Sequence, residues 1–96
     1  MTYSREAAQN LATSVLIYMA ERPDLMAGFL EASGLNPQDL RKIAADPEIA
    51  LHVLDFLLED DRRVLDAAAD LTIPPGDLMQ ARTALAGPGS YGWEAD

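Results

Sequence analysis

The sequence predicts an all-α protein, a compact orthogonal bundle of about five to six short helices. Three observations lead there. Apolar residues recur at three- and four-residue spacing along most of the chain. Prolines followed by acids mark helix starts at Pro23, Pro37, Pro47 and Pro75. Strand signals are missing throughout.

The first helix starts after Thr2 or Ser4 and runs to about Arg22, with Ala8, Leu11, Val15, Tyr18 and Met19 on one face. Ile17 projects from the opposite side, among Gln9, Asn10, Thr13 and Ser14, and Leu16 lies between the two faces. That leaves two readings of Leu16 and Ile17: another helix of the same domain covers them, or they form a homodimer or partner patch. The second helix, about 23–33, ends at Gly34, a left-handed C-cap with Leu35 placed for the accompanying apolar contact. A short third, about 37–45, begins at the cap Asn36 and stops where Asp46 and Pro47 start the next.

The fourth helix, Pro47 to about Glu59, is apolar around most of its circumference. Only Glu48, His52, Asp55 and Glu59 form a polar stripe, and at 100° per residue they fall within about 60° of one another. Such a helix is surrounded by others and should be central. A fifth, about 61–70, buries Val64, Leu65, Ala68 and Leu71; a sixth, about 75–85, buries Leu78, Ala81 and Leu85. These make one domain over residues 1–86. The glycine-rich stretch 87–96 lacks periodicity and reads as a flexible C-terminal tail whose Tyr91 and Trp93 could anchor a partner or dock back onto the domain. Pro23 and Pro47 stand 24 residues apart, but the repeated Pro-x-Asp-Leu at Pro37 and Pro75 has a different offset, so shared helix-start chemistry explains the echo better than a repeat.

Composition narrows the function classes. Sixteen acids against seven Lys and Arg give a net charge of −9, which repels a phosphate backbone, so nucleic-acid binding is not expected. With no cysteine there is no disulfide framework, thiolate metal site or cysteine nucleophile. The apolar run 15–20 is too short to span a membrane, no secretory signal or lipidation motif is read, and a cytoplasmic location is the expectation.

His52, with Glu48 and Asp55 one turn to either side, is the one arrangement that could hold a metal on a single helix face. Structural sites normally recruit from more than one element, and a solvated stripe is the plainer account. The run Glu59-Asp60-Asp61-Arg62-Arg63 sits at a helix junction, where Asp60 or Asp61 caps the next helix and the arginines pair with neighbouring acids. No serine lies near His52 in sequence, and no glycine-rich phosphate loop is present. No catalytic, cofactor-binding or metal-ligating residue is therefore assigned, and no cofactor, small molecule or membrane partner is expected.

The segments Ser33 to Arg41, Asp46-Pro47, Val53 to Leu58 and Ile73-Pro74-Pro75, with Ala81 and Leu85, resemble a small bacterial all-helical family catalogued as a domain of unknown function. The resemblance spans about residues 7–86. Its motifs are helix caps and core positions, so it implies a fold and brings no activity, catalytic residue or cofactor. The expected function is a non-enzymatic interaction module or small adaptor that binds a protein partner or itself through Leu16, Ile17, Tyr91 and Trp93. The alternatives are a small enzyme or metal-binding protein centred on His52, and an acidic decoy for a basic partner.

Overall fold

The computed structural model describes residues 3–86, and among them every regular element is helical. In order these are α1 (Arg5–Ala20), α2 (Pro23–Ser33), a 3-10 turn (Asp39–Lys42), α3 (Pro47–Leu58), α4 (Asp61–Leu71) and α5 (Gly76–Ala86). The tail residues Tyr91 and Trp93 lie outside the described residues.

Local chemistry sets most of the boundaries. Ser4 Oγ accepts from the Ala7 N–H at 3.0 Å and opens α1. Pro23 and Pro47 occupy the first turns of α2 and α3 and push the residues before them, Arg22 and Asp46, into extended backbone. The Asp46 carboxylate accepts from Glu48 N–H at 2.9 Å, and Asp60 accepts from Arg62 N–H at 2.8 Å to cap α4. Gly34 closes α2 at φ 75°, as its position implied, and Leu35 packs against the core.

Two expectations are corrected. The segment 37–45 is not an α-helix: its backbone bonds run mainly i to i−3, and only Asp39–Lys42 is regular. The terminal carbonyls of Ile43 and Ala44 accept from the Gln9 side-chain amide, at 3.2 and 2.8 Å, so α1 satisfies acceptors that the end of this segment leaves unpaired. The expected cap is also reversed, since the Asn36 N–H donates to the Asp39 carboxylate at 2.9 Å. The second correction is Leu65, which is 55% exposed. Helix α4 packs through the small Ala67 and Ala68, with Val64 and Leu71 half-buried, and Leu65 falls roughly 100° off that contact line.

The core joins Val15 and Met19 of α1, Phe29 of α2, Val53, Leu54 and Leu57 of α3, and Leu78 of α5. Helix α3 is the centre, touching every other helix and the 3-10 turn. Helix α5 lies against both α1 and α3, and Tyr3 ties the N-terminal segment to it by donating to Asp77 at 2.8 Å.

Neither α1 nor α3 carries a base in its last turn; an arginine from beyond the end does that work. Arg22 donates to the Tyr18 carbonyl at 2.8 Å while its guanidinium lies 3.8 Å from the centre of the Tyr18 ring. Arg63 repeats the arrangement on α3, donating to the Phe56 carbonyl at 2.9 Å with its guanidinium 4.0 Å from the ring centre. Each satisfies a terminal acceptor, meets the negative end of the helix dipole and makes a cation–π contact.

Candidate functional site

The polar stripe of α3 lies between two surface depressions. On one side, the C-terminal half of α3 and helix α5 enclose a groove of about 350 Å³, walled by Asp55, Leu58, Glu59, Met79 and Arg82. On the other, the end of α2 and the same stretch of α3 enclose about 170 Å³, where Phe29, Ala32 and Ser33 face His52, Asp55, Phe56 and Glu59. Asp55 and Glu59 border both. Phe29 meets Phe56 edge-on at 5.5 Å between ring centres, which fixes the spacing of α2 and α3 beneath the smaller depression. Met79 also borders a third hollow of about 210 Å³ with Tyr3, Gln80, Thr83 and Ala84.

The charges along this face are arranged in pairs. Arg82 grips Asp55 with two nitrogens: Nε donates to one carboxylate oxygen, and a terminal nitrogen lies 3.5 Å from the other. With Arg82 17% and Asp55 43% exposed, the pair is better shielded than an ordinary surface bridge. Arg63 stands 3.9 Å from Glu59 across the junction of α3 and α4. Asp55 therefore faces α5 instead of pairing with His52 and Glu48 as metal ligands. Among the described residues no three His, Cys, Asp or Glu side chains converge to hold a metal.

Sequence spacing did not reveal that Ser33 and His52 line one depression. Ser33 Oγ accepts from the Leu35 N–H at 3.2 Å, so the hydroxyl already serves the α2 terminus. Arg82 was missed too, although it is the only Lys or Arg after Arg63 and flanks the buried Leu78, Ala81 and Leu85 stripe. The candidates on α1 divide: Leu16 is half-buried and packs on the core, whereas Ile17 stands 58% exposed.

Two tyrosines show shifted titration. Burial raises Tyr3 above its ordinary value, and the hydrogen bond and negative charge of Asp77 add to the effect. Burial also raises Tyr18; Arg22 opposes the shift, and Asp66 and Asp70 reinforce it.

Fold and site together define a small all-α domain with a grooved, acid-striped face. The chain belongs to the family described as protein of unknown function DUF3572, whose model matches residues 5–88. No curated protein and no solved structure matches it. No helix among the described residues is long and apolar enough to cross a membrane.

Proposed function

We propose that the chain is a non-enzymatic protein-binding module of the cytoplasm, a small adaptor acting through apolar helix surface rimmed by acids. The observation that carries this reading is that Ile17, Leu65 and Met79 stand 58%, 55% and 43% exposed on three different helices. Each has a carboxylate close by: Glu21 one turn from Ile17, Asp61 one turn from Leu65, and Glu59 across the groove from Met79. Covering the exposed half of one such side chain is worth about 1–1.5 kcal/mol, and the neighbouring acids select which partner can do it.

Photo-crosslinking in living cells tests the reading. A benzophenone residue replaces Ile17, Leu65 or Met79, with exposed Ala7 as the control position. One defined adduct is expected from at least one of the three, lost when its neighbouring acid is reversed to lysine. An adduct pattern indistinguishable from that at Ala7 refutes the reading.

A small enzyme centred on His52 is the second reading, favoured by the shared depression of Ser33, His52 and Asp55. It ranks lower because the Asp55 carboxylate and the Ser33 hydroxyl each already have a structural partner.

A further inference from the structure

We propose that the corner where the first turn of α1 meets the 3-10 turn is a second contact surface, formed by Arg5, Arg41 and Lys42, and that it takes a short acidic segment of a partner protein. Carboxylates of that segment lie against the two cations of the turn and reach across to Arg5. This contact is separate from the exposed apolar positions and does not depend on them.

The chain has seven Lys and Arg, and they divide by whether a carboxylate meets them. Arg22, Arg63 and Arg82 each face one. Arg5, Arg41, Lys42 and Arg62 are exposed and form no ion pair among the described residues. Three of these four come together through one side chain. Gln9 stands one turn after Arg5 on the same face of α1, and it donates to the Ile43 and Ala44 carbonyls, which directly follow Arg41 and Lys42. Cations far apart in sequence thus share one end of the bundle.

The usual task of a cation at a helix end does not account for Arg41 and Lys42. At the ends of α1 and α3, Arg22 and Arg63 donate to terminal carbonyls and lie on the Tyr18 and Phe56 rings. At the end of the 3-10 turn the Gln9 amide meets the carbonyls instead, and both cationic side chains stay in solvent.

Charge selects the occupant. Residues 40–45 hold two cations and no acid, in a chain with 16 acids. The acids bordering them are directed to backbone amides, Asp39 accepting from Asn36 N–H and Asp46 from Glu48 N–H, both at 2.9 Å. A long polyanion such as nucleic acid runs past the corner onto acidic surface and is repelled by the net charge of −9. A short acidic segment meets the corner alone, since at physiological ionic strength charges beyond about 8 Å are largely screened.

The test is an NMR titration of the isotope-labelled chain with an eight-residue peptide carrying four consecutive glutamates, with the glutamine version of the peptide and a short DNA duplex as the other arms. Shifts should centre on residues 5–9 and 41–44 with the glutamate peptide alone. Arg5→Glu and Lys42→Glu should each weaken binding at least threefold, and Arg62→Glu, the same charge change at an unpaired cation on α4, by less than twofold. An acid in the first turn of α1 favours that helix, so weaker binding by Arg5→Glu is not a loss of folding. Equal weakening by Arg62→Glu and Lys42→Glu would show attraction to net charge only and overturn the proposal. No binding of the glutamate peptide, shifts centred elsewhere, equal shifts with the glutamine peptide, or tighter binding of the duplex would also overturn it. The apolar reading fails separately, when crosslinking at all three apolar positions matches the Ala7 control.

Discussion

Replacing Thr72 with glycine should stabilise the fold. Thr72 ends α4 in the left-handed region, at φ 58° and ψ 49°, and is the only non-glycine residue with positive φ among those described. It is held there by a Schellman closure: Thr72 N–H donates to the Ala69 carbonyl at 3.3 Å and Ile73 N–H to the Ala68 carbonyl at 3.0 Å. Left-handed backbone costs a residue with a Cβ roughly 1–2 kcal/mol, and branching at Cβ places threonine at the upper end. Glycine removes that cost but returns about 0.5–1 kcal/mol through the freedom it gives the unfolded chain. The net gain is about 1–1.5 kcal/mol, a rise in Tm of about 4–12 °C for a domain of this size. Gly34→Ala is the mirror experiment. At φ 75° a new Cβ meets no atom within 4 Å, so the penalty is backbone strain alone and stability should fall by a similar amount. Thermal and urea unfolding followed by circular dichroism would measure both. Two shifts of the same sign, or a lower Tm for Thr72→Gly, would refute the argument.

Asp46→Ala and Asp60→Ala each remove a helix cap and should cost about 1 kcal/mol by urea unfolding; an additive double variant is expected, since the caps serve different helices. A double-mutant cycle on Asp55→Asn and Arg82→Met should give a coupling of about 1 kcal/mol that shrinks in high salt, and zero coupling would mean the paired geometry contributes nothing. Native titration followed at 295 nm should contain components above pH 10 that disappear in Tyr3→Phe and Tyr18→Phe. Because folding raises both values, the neutral forms are the ones favoured. Their contribution is therefore full below the unfolded value near 10 and is lost as pH rises through the folded values. Unfolding midpoints that improve above pH 10 would contradict this sign.

What was legible in the sequence was local. Pro23, Pro47 and Gly34 act within a turn of where they stand, and the bounds of α2 follow from them. The periodicity of residues 47–59 revealed both the central helix and its polar stripe. Tertiary contacts governed the rest. Residues 37–45 wind with 3-10 bonds, and Gln9, on another element, caps the terminal Ile43 and Ala44 carbonyls, a contact between α1 and this segment that no local spacing reveals. Leu65 looked buried by spacing, yet α4 approaches through alanines and leaves it outside. The stripe was visible but its setting was not: Arg82 reaches Asp55 from 27 positions away, and Ser33 comes to the depression beside His52 from the end of α2. Periodicity reports which residues share a face, and packing decides what that face meets.

The most direct measurement is the affinity of the cross-linked partner, once purified, for the intact chain, for the glutamate variant at whichever of Ile17, Leu65 and Met79 gives the adduct, and for His52→Asn. The account predicts at least a tenfold loss for the glutamate variant, with Tm changed by less than about 2 °C, and no loss for His52→Asn. The first substitution charges the apolar contact, whereas the second leaves it untouched. Unchanged affinity in the glutamate variant, together with loss of cellular function in His52→Asn, would contradict the binding account and favour chemistry at the histidine.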